Sequence, residues 1–135
     1  MPQQTDRKPC VFAPSSLEIL SSFDQEVKDE IGFALHVAQR GGTHRSAKPL
    51  TGHPEFRGAA VMEIVADFDG DTYRGVYTVK LEGVVYALDI FQKKSKSGIA
   101  TSKSVINRIK ARLRWAREHY REHYEKHLSA PKKKK

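Results

Sequence analysis

The stretch Asp69–Lys94, DGDTYRGVYTVKLEGVVYALDIFQKK, reads as a β-hairpin. Thr72–Lys80 and Val84–Phe91 are rich in β-branched and aromatic residues, which suit a pleated, half-buried surface. Leu81-Glu82-Gly83 supplies a short turn, with a glycine able to take positive φ. Strict alternation places Tyr73, Gly75, Tyr77 and Val79 on one face, and Thr72, Arg74, Val76, Thr78 and Lys80 on the other. In the second strand it sets Val84, Tyr86, Leu88 and Ile90 against Val85, Ala87, Asp89 and Phe91. Both strands are fairly apolar on both faces, as central strands of a covered sheet are. Arg74 interrupts the first strand and Gln92-Lys93-Lys94 ends the second. Together they predict a compact cationic site.

Working upstream, Ala59–Phe68 reads as a third strand, closed by the turn Asp69-Gly70, so three strands form an antiparallel meander. Thr43–Arg57 holds His44, Arg45, Lys48, Pro49, Gly52, His53, Pro54 and Arg57. Its glycine, proline and polar content predicts a loop, long and basic enough to be functional. Before it, Asp24 is placed to cap a helix with Val27, Ile31, Phe33 or Ala34, Leu35 and Ala38 at helical spacing. Gly41-Gly42 stops it. Val11-Phe12-Ala13 fits a short edge strand ended by Pro14, and Ser15-Ser16 can cap a short helix through Leu17, Ile19 and Leu20. These two helices form a hairpin whose apolar stripe lies on the sheet.

Downstream, about Thr101 to Leu128 should be helical, capped by Thr101 or Ser102. Val105, Ile106, Ile109, Leu113, Ala116 and Tyr120 fall on one stripe, and the opposite face is basic. The expected fold is α+β: a small twisted antiparallel sheet, two N-terminal helices, helices mainly on one face, and a long basic C-terminal helix. A single domain over 11–128 would lie between a flexible N-terminus, 1–10, and a lysine-rich tail, 129–135.

The length of 135 residues suffices for a hydrophobic core without staples. A formal charge of +8 favours a polyanionic partner: nucleic acid, an anionic surface or an acidic protein. Lys132–Lys135 supplies part of the excess, but Lys93, Lys94, Lys96, Lys103, Arg108, Lys110, Arg112, Arg114 and Arg117 crowd one region. The single Cys10 excludes an internal disulfide. No apolar run reaches the ~18 residues of a membrane span, and the N-terminus lacks a signal-peptide core. A cytoplasmic protein without membrane contact is expected.

In order along the chain stand Phe23 with Val27, Ile31-Gly32, Ala34-Leu35 and Ala38-Gln39. Lys48-Pro49-Leu50, Met62-Glu63-Ile64, Asp69–Tyr77, Val85–Lys94 and the basic helix follow. In this ordered set, from about Phe12 to Leu113, the chain resembles the RelE/HigB-type toxins of bacterial toxin–antitoxin systems, in their phage-related branch. The resemblance implies two N-terminal helices on a twisted antiparallel sheet. It also implies a toxin that cleaves mRNA, at the ribosome or free of it, and arrests growth by inhibiting translation. A cognate antitoxin, expected to be a helix-turn-helix protein, would restrain it.

Metal-independent RNA cleavage needs a proton acceptor for the 2′-OH, a donor for the 5′-oxygen, and cations on the transition state. Arg74 suits the last task through its planar fork; its bland alternative is a strand-surface ion pair with Glu63 or Asp89. Lys93 or Lys94 beside Arg74 can act as acid or base, and alternation points only one of them into the site. His53 is a third candidate for proton transfer, against a plain loop histidine. Lys48, Arg57, Phe91, Gln92, Lys96, Lys103 and Arg108 are the candidate RNA contacts, with Phe91 also eligible for the core.

His119, His123 and His127 recur at i, i+4, where adjacent pairs can bind zinc, although one helix cannot complete a tetrahedron. Incidental histidines are the simpler reading, so no metal or cofactor is expected. Trp115, off the apolar stripe, is either a second contact surface or an ordinary partly buried tryptophan. The rivals to an endoribonuclease are a non-catalytic nucleic-acid-binding module and an interaction subunit on the same fold.

Overall fold

A computed structural model describes residues 7–93 and 102–125. In chain order the elements are β1 (Cys10–Phe12), α1 (Ser16–Ser21), α2 (Gln25–Gln39), β2 (Ala47–Pro49), β3 (Val61–Phe68), β4 (Asp71–Thr78), β5 (Val85–Lys93) and α3 (Lys103–Tyr120). A 3₁₀ turn, Pro54–Phe56, precedes β3, and a π-helical turn, Arg121–Glu125, extends α3.

The strands form one sheet in the order β1-β5-β4-β3-β2. The antiparallel meander of β3, β4 and β5 is as expected, but the sheet is larger and mixed. β1 pairs in parallel with β5, placing Val11 opposite Tyr86. Bonds from the Val85 N–H to the Pro9 carbonyl and from the Ala13 N–H to the Ala87 carbonyl, each 2.9 Å, extend the pairing at both ends. β2 falls inside the predicted loop and pairs antiparallel with β3. Its Pro49 lacks a donor, which an outer strand tolerates.

Helices cover both faces, not mainly one. Val27, Ile31, Ala34, Leu35 and Ala38 of α2, with Leu20 of α1, bury Ile64, Ala66, Tyr73, Tyr77, Val85, Ala87 and Ile90. On the other face Ile106, Ile109, Leu113, Ala116 and Tyr120 of α3 bury Val61, Val76, Val84, Tyr86 and Leu88. Two-sided coverage follows from strands that are apolar on both faces. Each fully buried branched aliphatic side chain contributes about 1.5–3 kcal/mol.

Several boundaries have local causes. Gly42 N–H donates to the Val37 carbonyl at 2.9 Å, closing α2 with Gly41 at φ +90°. Ser102 caps α3 by accepting from the Val105 N–H at 3.4 Å. At the end of β4, the Thr78 hydroxyl donates to the Ala59 carbonyl and accepts from the Lys80 N–H, which turns the chain out of the ladder. Tyr120 ties α3 to the hairpin turn by donating to the Glu82 carbonyl at 2.8 Å. At Gly75 a Cβ would meet Ile31 Cγ2 at 3.2 Å, so the bare backbone there lets α2 pack closely on β4.

One irregularity decides the site. Val76 pairs with Asp89 but Tyr77 pairs with Ala87, so Leu88 is an extra, bulged residue in β5. Strict alternation therefore fails there. Leu88 packs under α3, and its neighbour Asp89 points to α3 as well, while Ile90 joins the α2 core. A bulge breaks the two-residue period and re-aims every side chain beyond it.

Candidate functional site

Past the bulge, β5 presents Phe91 opposite Arg74 and Lys93 opposite Thr72. Directly paired residues of an antiparallel ladder share a face. That face is the one α3 covers, and Phe91 packs at the margin of its core. Across β4, Arg74 reaches diagonally to the Glu63 carboxylate in an ion pair. Lys48 on β2 stands opposite Glu63 and is exposed. Lys48, Glu63, Arg74, Phe91 and Lys93 thus form a band across four strands.

The Arg74–Glu63 pair is mostly out of solvent, with side chains 16% and 6% exposed. Arg74 keeps its orientation because the carboxylate holds one Nη; its Nε is buried and makes no hydrogen bond. Lys93 has its pKa lowered below the usual lysine value, first by burial and then by the charge of Arg74, while Glu63 works the other way. A lysine easier to deprotonate beside a fixed guanidinium is the pairing that proton transfer next to a phosphate needs.

α3 is pinned beside this band by a second ion cluster. Asp89, 1% exposed, accepts from Arg108 through Nε at 3.0 Å and Nη2 at 2.8 Å. Arg112 donates to its other oxygen at 2.7 Å, to the Leu88 carbonyl at 3.1 Å, and to the hydroxyl of the buried Ser16 at 3.4 Å. Arg112 therefore fastens the bulge to both α3 and α1. The Arg108 guanidinium also lies 6.0 Å from the centre of the Phe91 ring. It stands beside the band, engaged with Asp89 rather than spread along a solvated helix face.

The other candidates separate. Gln92 pairs with Tyr73 and so faces α2, away from Arg74. His53 and Arg57 flank the 3₁₀ turn and line a groove of about 400 Å³ with Leu50, Thr51, Gly52, Pro54 and Phe56. Their turn leads into Val61, at the end of β3 away from Asp67, which pairs beside Lys93's neighbour Thr72. Lys103 is exposed at the first position of α3. Lys94 and Lys96 lie outside the described residues. Of the two carboxylates that the sequence offers as partners for Arg74, Glu63 takes that role and Asp89 instead holds Arg108 and Arg112; Arg112 stands out as an organising group only in the structure.

A family model described as Phage derived protein Gp49-like (DUF891) matches residues 18–114. The chain belongs to this family. Gp49-like proteins are toxins of toxin–antitoxin systems related to the RelE-like toxins. A search of curated proteins finds no match. The Gp49-like segment runs from α1 into α3 and contains the whole band, with Arg108 and Arg112.

Beyond that segment, α3 carries an aromatic cluster over Tyr86. Trp115 meets the Tyr86 ring edge-on at 6.0 Å, and His119 lies 5.1 Å from Trp115 between ring centres. Trp115 is therefore partly buried against the α3-side core. His127 lies outside the described residues. Among the described residues no three histidine, cysteine or acidic side chains gather as a metal site, and no helix is long and apolar enough to cross a membrane.

Proposed function

We propose that this Gp49-like protein is a RelE/HigB-type toxin that cleaves mRNA in the cytoplasm as a metal-independent endonuclease, acting at the ribosome. The carrying observation is the shared face: Arg74, held by Glu63, beside Lys93 with its lowered pKa and across from Phe91. In this reading Arg74 stabilises the charge that develops on the scissile phosphate. Lys93 exchanges the proton of the 2′-OH or the leaving oxygen, and Phe91 offers a ring for an unstacked base. Lys48, Lys103 and Arg108 draw in the RNA backbone. A cognate antitoxin of the helix-turn-helix kind would restrain the enzyme by covering this face.

One observation favours a binding-only module instead. Arg74 and Arg108 are each already paired with a carboxylate, an arrangement that also serves stability alone. Expression of the chain without an antitoxin separates the two readings. The toxin should arrest bacterial growth and shorten cellular mRNAs, and the purified protein should cleave in EDTA. Normal growth with soluble protein present, or intact RNA after prolonged incubation with ribosomes, would overturn the endonuclease.

A further inference from the structure

We infer that the groove beside the 3₁₀ turn, lined by Leu50, His53, Phe56 and Arg57, is a subsite for a second unstacked nucleobase of single-stranded RNA. Its volume of about 400 Å³ falls within the roughly 300–1,000 Å³ of small-ligand pockets. Phe56, 4% exposed, belongs to the core under α3, and Leu50 packs against the same core. The rings of His53 and Phe56 meet as a corner, with centres 6.0 Å apart and planes at 57°. Backbone bonds hold that corner. Phe56 N–H donates to the His53 carbonyl at 2.9 Å, and Leu50 N–H to the Val61 carbonyl at 3.0 Å. His53 is only half-buried, so its ring is the open wall, and the exposed Arg57 stands at the rim.

The groove lies on the face that carries Arg74. Val65 pairs with Arg74, and Val61, at the groove, is four residues away on the same face of β3, about 13 Å along the strand. α3 lines the route between them with charge. Its Arg112, Trp115 and His119 reach β5 and α1, so the flank across the apolar stripe, with Lys110, Arg114 and Arg117, is turned toward β3 and β2. All three are exposed, and none forms an ion pair among the described residues. No carboxylate lines the groove; Glu55 of the same turn is outside the lining. An aromatic and apolar corner on a cationic path suits an occupant with flat apolar rings on an anionic backbone. Single-stranded RNA has that chemistry, and stacking tolerates any base. The inference rests on RNA lying along the face of Arg74 but not on its being cleaved.

The test measures binding of a short oligouridylate to the full chain across a salt series, with inorganic polyphosphate as a polyanion that has no bases. His53→Ala should weaken oligouridylate binding by on the order of fivefold or more and leave polyphosphate binding unchanged. Thr51→Asp, at an exposed position of the lining, should weaken both. Arg57→Ala should also weaken both, with the log–log salt slope for RNA lower by about 0.7 for one lost phosphate contact. Melting curves establish that each variant is folded. Irradiating the wild-type complex with 4-thiouridine in the strand should crosslink the segment 50–57, and mass spectrometry locates the bond. Crosslinks confined to other segments, or an equal effect of His53→Ala on both ligands, would overturn the subsite. An oligouridylate that binds and crosslinks as expected yet stays intact would support the subsite and count only against the endonuclease.

Discussion

Arg74 and Phe91 face each other across β4 and β5 because Leu88 is bulged out of the ladder. Continuing the pairing of Tyr77 with Ala87 without the bulge would put Ile90 opposite Arg74 and Gln92 opposite Thr72. A one-residue shift thus exchanges an aliphatic and an amide for an aromatic and a lysine beside the arginine. Arg112 stabilises the exchange by bonding the Leu88 carbonyl and Asp89 together. The bulge is the device that assembles the candidate site.

Removing the guanidinium should therefore separate chemistry from binding. Arg74→Ala should lower single-turnover cleavage at saturating RNA by on the order of 10²-fold or more, since a transition-state charge loses its partner. It should also lower stability, because Glu63 is left buried without its cation. Glu63→Gln, with Arg74 kept but no longer fixed by a charge, should lose less activity. Melting curves identify any variant that fails to fold. Normal cleavage by folded Arg74→Ala at saturation would assign that residue to binding or structure.

The sequence exposed the meander, the stripe of α3 and the pairing of Arg74 with a strand-end lysine, because each rests on local period and composition. It did not expose the face on which Phe91 and Lys93 lie. Alternation through VYALDIF has no mark at Leu88 that distinguishes a bulged from a regular strand, so the pattern alone sets Ile90 on the face of Leu88, whereas it lies in the α2 core. The three residues of β2 carry no strand signal either: Pro49 argues against one, and the pairing comes from β3. Coverage of the sheet on both sides was implicit in Val76, Tyr86 and Leu88, which are too apolar to face water. The ion cluster at Asp89 needed the bulge first.

Lys93 should reveal itself in the pH profile. Its lowered pKa means that the neutral amine is populated below the usual 10.5. If it accepts the 2′-OH proton, kcat/KM should rise with pH and level off at a break below that value. Glu63 acts to raise the Lys93 pKa, so Glu63→Gln should move the break to lower pH. Lys93→Gln should abolish the break with the fold intact. A profile that stays flat, or the same break in Lys93→Gln, would exclude this lysine as the titrating group.

The helix cations should govern association rather than rate. Lys103→Ala removes an exposed charge at the start of α3 and should weaken RNA binding while leaving saturated cleavage nearly unchanged. Counterion release predicts a log–log salt slope lower by about 0.7 for a single strand if Lys103 contacts one phosphate. An unchanged slope would show that Lys103 makes no such contact.

Asp89 should be the group that fastens α3 to the sheet. Arg112→Ala leaves its carboxylate, 1% exposed, with Arg108 alone, and releases the Leu88 carbonyl and Ser16 hydroxyl. A loss of about 2–3 kcal/mol is expected in denaturant unfolding. Arg108 is 40% exposed, so Arg108→Ala should cost less. Equal midpoints for the two variants would show that the bulge contacts of Arg112 add nothing.

Acid should act on the other end of α3 through His119. Its imidazole in the folded chain gives up its proton more readily than the ordinary 6.5, because of burial and then His123. The unfolded chain therefore holds the proton more tightly, and acidification through 6.5 favours unfolding until the lowered folded pKa is passed. The contribution is complete above 6.5 and is lost below it. The melting temperature should fall between pH 6.5 and about pH 5, where most carboxylates stay ionised. His119→Phe keeps a ring under Trp115 without a titrating nitrogen and should flatten that segment. His123→Gln removes one of the two causes and should narrow the window without closing it. An equally steep decline in His119→Phe would place the acid sensitivity elsewhere in the fold.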